Sequence, residues 1–183
     1  MRGHHYQYIA ALLRCCCLLL CMGQSAPVFA QEGDSDLVLK DARGAVLFSF
    51  PAPEGFVFGI RYIHSVARSP VEDWFQVVNN VIFLEKTIYQ DFGAGLPHTP
   101  QPGQTMTTAD GHIVIKGYHM ALPSFDVRVG RVAQHVLLLP QAAAGCEGLT
   151  RQIPLAELAA PGSAITFAVA ARGRTRAAKA AQR

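Results

Sequence analysis

The residues best equipped for chemistry lie in one stretch, Arg61-Tyr62-Ile63-His64-Ser65-Val66-Ala67-Arg68-Ser69-Pro70-Val71-Glu72-Asp73-Trp74-Phe75. A strand pattern ends at His64-Ser65, a Pro-containing reversal follows, and an acidic pair precedes the single tryptophan. A hairpin of this kind brings His64, Ser65 and Glu72 toward one another. An imidazole, a hydroxyl and a carboxylate are the groups of an activated nucleophile, which makes a hydrolase the catalytic alternative. The set is incomplete. His64 and Ser65 are adjacent, so on a regular strand they point to opposite faces. No Gly-x-Ser-x-Gly elbow is present, and Gly162-Ser163 reads as an ordinary turn. The structural assignment for the same residues is a buried His64 bonded to its own turn, with Glu72 accepting from His64, Arg61 or Arg68.

His64, Glu72, His112, His119 and His135 are candidate metal ligands for a metal-dependent enzyme, but no spacing among them specifies coordination. No metal and no cofactor are expected. Gly93, Gly95 and Pro97 read first as backbone geometry, since glycine permits positive φ and proline fixes a turn. No helix amino terminus follows them to receive a phosphate. His64, Ser65, Glu72, Gly93, Gly95 and Pro97 therefore form the expected binding set, with Trp74 as an anchor if exposed and a core residue otherwise.

The elements that must position these groups are short and β-type. Strands are expected at Leu37 to Lys40, Val46 to Phe50, Phe56 to His64, Phe75 to Val78, Val81 to Tyr89, His112 to Lys116, Phe125 to Val129, Val136 to Leu139 and Ile165 to Ala170. Asp41 to Gly44, Pro51 to Gly55, Asn79-Asn80, Asp110-Gly111 and Gly145 to Gly148 supply turn residues between them. Phe56, Phe58, Ile60 and Tyr62 share one face of their strand, and Phe125, Val127 and Val129 alternate with Asp126 and Arg128. One short helix is expected from Leu155 to Leu158, introduced by Pro154. Gly93 to Gly111 is rich in Gly and Pro without apolar periodicity and reads as one long surface loop. The pattern predicts an all-β fold, an antiparallel sandwich or a partly open barrel.

The amino terminus has a basic stretch with Arg2 and Arg14, an apolar run from Cys15 to Met22 and a small-residue end, the three parts of a secretory signal. Val28 and Ala30 place the cut after Ala30, so residues 1–30 are the expected signal peptide and the mature chain starts at Gln31. The run is shorter than the roughly 20 residues of a membrane-spanning helix, and an integral membrane protein is not expected. Cys15, Cys16, Cys17 and Cys21 leave with the signal. Leu20 is too large for a lipid-anchor site at Cys21, and Cys146 alone cannot form an internal disulfide. Fourteen of the sixteen basic residues remain after cleavage against thirteen acidic ones. Five of those, from Arg172 to Arg183, crowd the final twelve positions. Residues 31–171 thus form one β-rich domain, 172–183 a basic tail expected to be disordered, and no face is basic enough for nucleic acid.

Tyr62-Ile63-His64-Ser65-Val66, Ser69-Pro70-Val71-Glu72, Gly93-Ala94-Gly95-Leu96-Pro97, Asp110-Gly111 and the stretch from Val127-Arg128-Val129 to His135 resemble the family of domain of unknown function 1850 (DUF1850). The resemblance spans nearly the whole mature chain in the same order. It implies small exported bacterial proteins, often encoded beside tripartite periplasmic transporters with a separate solute-binding protein, and it implies no activity. The expected function is an exported, non-catalytic accessory or binding protein of the periplasm. Its expected partners are subunits, or the solute-binding protein, of a TRAP or TAXI-type transporter.

Overall fold

The computed structural model of the chain describes residues 35–93, 95–140 and 150–172. All of these belong to one compact unit spanning 31–183. The expected signal peptide, the turn at Gly145 to Gly148, Cys146 and the tail beyond residue 172 lie outside the described residues.

Among the described residues eleven strands follow one another as β1 (Ser35–Lys40), β2 (Val46–Pro51), β3 (Val57–Ile63), β4 (Pro70–Val78), β5 (Val81–Tyr89), β6 (Thr105–Ala109), β7 (His112–Leu122), β8 (Ser124–Arg128), β9 (Val136–Pro140), β10 (Thr150–Pro154) and β11 (Ala164–Ala171). The single described helix, Leu155–Leu158, starts behind Pro154 as expected. The strands form two antiparallel sheets, a four-stranded one ordered β2-β1-β11-β8 and a seven-stranded one ordered β10-β9-β3-β4-β5-β7-β6. Neither sheet closes on itself, so of the two expected architectures the fold is a sandwich.

Local chemistry explains the connections. Asn79 and Asn80 have φ of 51° and 60°, and Asp110 and Gly111 have 52° and 73°, the double left-handed geometry of two-residue hairpins. They join β4 to β5 and β6 to β7. At the β1–β2 hairpin, Asp41 Oδ1 accepts from the backbone N–H of Arg43 and Ala45. Between β7 and β8 only Pro123 intervenes. It cannot donate to a ladder, and the chain crosses there from the larger sheet to the smaller.

The main core lies between the sheets. Leu37 and Leu39 of β1 and Ile165 and Phe167 of β11 bury their side chains with Phe58, Phe75, Ile82 and Leu137 of the opposite sheet. A file of stacked rings, Phe58–Phe167 at 6.3 Å, Phe167–Phe125 at 5.0 Å and Phe125–Phe75 at 4.9 Å, runs across the interface. A second, smaller cluster of Val71, Tyr89, Leu96, Ile113 and Ile115 sits farther along the larger sheet. There Leu96 of the loop after β5, rather than a strand of the smaller sheet, supplies the cover.

Two expectations need correction. Gly93 to Gly111 is not one loop: Thr105–Ala109 pairs along β7 as the sheet's last strand. Its Thr-rich sequence has mostly exposed side chains, so it lacks the apolar rhythm that marks a half-buried strand. The strand expected from Phe75 begins at Pro70. Arg172, first residue of the expected basic tail, is ion-paired at 2.7 Å to Asp36.

Candidate functional site

The turn after β3 holds itself together. His64 N–H donates to Ser69 O, Arg68 N–H donates to His64 O, and the imidazole Nδ1 accepts the N–H of Ala67 at 3.1 Å. His64 is thus half-buried and bound to its own turn, not buried against Glu72. The Glu72 carboxylate lies on the outer face, where Oε1 accepts from Arg61 Nε at 2.8 Å and Oε2 from the Trp74 indole N–H at 3.0 Å. Ser65 is exposed. His64 and Glu72 are separately engaged, because the pleat carries Glu72 out while the reversal turns His64 onto its own backbone.

The structure does bring the His64 turn against the Gly93 loop. A Cβ on Gly93 would lie 2.8 Å from His64 Cε1 and 3.1 Å from the Ala67 methyl, so only glycine allows this approach. Leu96 N–H donates to Gly93 O, with Gly95 between them at φ 89°, the positive value that glycine accepts without strain. Tyr89 OH donates to Pro97 O at 2.5 Å and pins the loop to β5. Val66 and Phe92 remain exposed on these two segments. Val132 is exposed on a third, the 130–135 loop, tied in through Ile63 N–H to Ala133 O.

A cleft of about 530 Å³ opens between the sheets. Ile60, Phe75, Leu84, Leu122, Phe125 and Val127 wall it, and Tyr62, Asp73 and His135 supply polar groups. Val71, Asp73, Phe75 and Val77 share the inner face of β4, so Asp73 is the one acid in an apolar row. Its carboxylate accepts from Thr87 Oγ1 at 2.7 Å and from the Tyr62 hydroxyl. Desolvation raises the Asp73 pKa above the ordinary carboxylate value, and the two hydroxyl bonds offset only part of that rise. Burial, and then the neighbouring Asp73 charge, push the Tyr62 phenol well up. Burial lowers the His135 pKa, so its ring stays neutral further into acid than an exposed histidine does. The His135 ring lies 5.6 Å from that of Tyr62, and its Nδ1 is buried without a hydrogen-bond partner among the described residues.

An irregularity in β7 shapes the same neighbourhood. Gly117, Tyr118 and His119 stand opposite Glu85 alone, with positive φ at Gly117 and His119. Bulges of this kind re-aim side chains. Tyr118 packs on the smaller cluster and bears on Tyr62 electrostatically, while His119 points to Glu85, Nδ1 to Oε2 3.6 Å.

The remaining candidate ligands are dispersed. His112 bonds to Asp110 O and Gln90 on the β6–β7 hairpin. Among the described residues no group of three His, Cys, Asp or Glu is placed to hold a metal ion. Trp74 is half-buried on the outer face, packed over Gly59 with Lys86 Nζ 5.0 Å from its ring centroid, so it is neither a core residue nor a free anchor. Among the described residues no helix is long and apolar enough to cross a membrane.

Sequence reasoning passed over Tyr62, Asp73 and Thr87. The signal was present: continuing the alternation of Phe75 and Val77 back to Val71 puts Asp73 inside. Starting that strand at Phe75 hid its phase.

A family model described as Domain of unknown function (DUF1850) matches residues 58–144. The match begins in β3 and runs past β9, taking in the His64 turn, the Gly93 loop, Asp73 and His135. It is narrower than the expected resemblance, since β1, β2, β10 and β11 fall outside it. No curated protein and no solved structure gives a significant match.

Proposed function

From a chain whose residues 58–144 belong to the DUF1850 family, we propose an exported, non-catalytic binding protein that acts in the periplasm as an accessory to a tripartite solute transporter. The observation that carries the contact role is the joined surface of the His64 turn and the Gly93 loop. Two short segments are locked together by the His64–Gly93 approach and by Tyr89, and they display Val66 and Phe92 on a rigid sheet. Loops fixed in this way present one recognition shape. The export half rests on the amino-terminal pattern, and the transporter link on what the family resemblance implies.

The test is deletion of this gene with the neighbouring transporter genes left intact, followed by solute uptake and envelope cross-linking through position 66 or 92. The expected outcome is reduced uptake, with a cross-link to the solute-binding protein or a membrane subunit. The cross-linked protein should begin at Gln31 by mass spectrometry. Normal uptake with no such cross-link, or recovery of intact Met1, would overturn the reading.

A further inference from the structure

Asp73 stands apart from the other half-buried acids. Glu72 is met by Arg61 and Asp36 by Arg172, Glu85 lies beside His119, and Asp41 accepts two backbone N–H groups of its own turn. Asp73 forms no ion pair among the described residues and is held by two neutral hydroxyls at the wall of an apolar cleft. A carboxylate withdrawn from water and given no cation is unfavourable unless a partner supplies the charge. Close by, beyond the Tyr62 ring, lies the unpartnered Nδ1 of His135. With the ring neutral and its proton on Nε2, Nδ1 is an acceptor.

We propose that the inter-sheet cleft binds a primary ammonium compound with an apolar body, its head group between Asp73 and His135. The count of donors selects the head. Asp73 and His135 both line the cleft; a hydroxyl donates once, a carboxylate not at all, and an ammonium three times. The positive charge answers Asp73. The apolar walls take the body, and about 530 Å³ falls in the range of small-molecule sites. At the mouth, Asp126 and Arg128 contribute opposite charges, which leaves Asp73 to set the sign. This site is separate from the loop surface proposed to contact a transporter, so either can fail alone.

The experiment is calorimetric titration of the purified exported protein with phenylbutylamine, phenylbutanol and phenylbutyrate, which share one apolar body and differ in the head. The amine should bind about tenfold or more tighter than the alcohol, a difference of about 1.4 kcal/mol, and the carboxylate should give no heat. Asp73→Asn should bring the amine to the affinity of the alcohol. Met120→Trp, at an exposed position of the lining, should weaken both about tenfold, and it serves as the test if the first variant does not fold. Equal affinity for amine and alcohol, preference for the carboxylate, or no heat from any of the three at millimolar concentration would overturn the proposal. So would an amine preference that survives Asp73→Asn, or affinities that Met120→Trp leaves unchanged.

Discussion

Glu72 and Asp73 are consecutive acids on one strand, yet they occupy opposite environments. The pleat sends Glu72 to the outer face, where an arginine and an indole N–H saturate it. It sends Asp73 to the inner face, where its donors among the described residues are two hydroxyls and partial burial raises its pKa. The outer arrangement is self-contained and reads as structure. On the inner face, a charge is left for something else to answer, and groups whose environment disfavours their charged form, set in a cleft, are where function concentrates. The same division separates the two histidines. His64 spends its Nδ1 on its own turn, whereas the buried Nδ1 of His135 has no hydrogen-bond partner among the described residues.

The contrast can be broken most sharply at Thr87. Thr87→Val removes a hydroxyl donor from a buried position without changing the side-chain shape and leaves an Asp73 oxygen underbonded. The expected cost is about 2 to 3 kcal/mol at pH 8 by urea denaturation, diminishing in acid once Asp73 is protonated. A loss that does not vary with pH would mean that the hydroxyl matters for packing alone.

Asp73→Asn tests the sign. Because the folded-state pKa of Asp73 is raised, its contribution to stability is fully present below the unfolded carboxylate pKa and is lost as pH rises through the folded value. The amide does not titrate. Relative to the parent, Asp73→Asn should therefore gain stability from acid to neutral pH, by about 1.4 kcal/mol for each unit of the shift it removes. Melting curves between pH 4 and pH 8, on the order of the carboxylate and neutral ranges, check this. A parent that grows more stable relative to the variant as pH rises would show that Asp73 is satisfied after all.

Glu72→Gln should do least. Its partners are partly exposed, with side-chain exposures of 36% for Arg61 and 25% for Glu72, and water can replace much of the lost attraction. A cost of about 1 kcal/mol or less is expected by urea denaturation. A loss as large as that of Thr87→Val would erase the distinction between the two faces.

The sequence alone determined the all-β class, most of the strands, the Asn79-Asn80 and Asp110-Gly111 hairpins and the helix behind Pro154. Each of these is local: an alternation of period two, a residue that tolerates positive φ, a missing N–H. The same local logic singled out Gly93 and Gly95, although the contact that makes Gly93 necessary, the ring of His64, comes from a distant turn. Tertiary structure decided the rest. Sandwich or barrel depends on which strands pair, and β8 leaves β7 to join β11 for reasons no single segment contains. The edge strand Thr105–Ala109 is defined by its ladder to β7 rather than by its own residues. The cleft exists because the smaller sheet and the Leu96 loop cover different parts of one large face, leaving Tyr62 packed on both clusters and Asp73 in the space between the sheets. Alternation could have said that Asp73 points inward. Whether a cation would be waiting there was fixed only when β3 and β5 set the Tyr62 and Thr87 hydroxyls beside it and the opposite sheet added apolar walls.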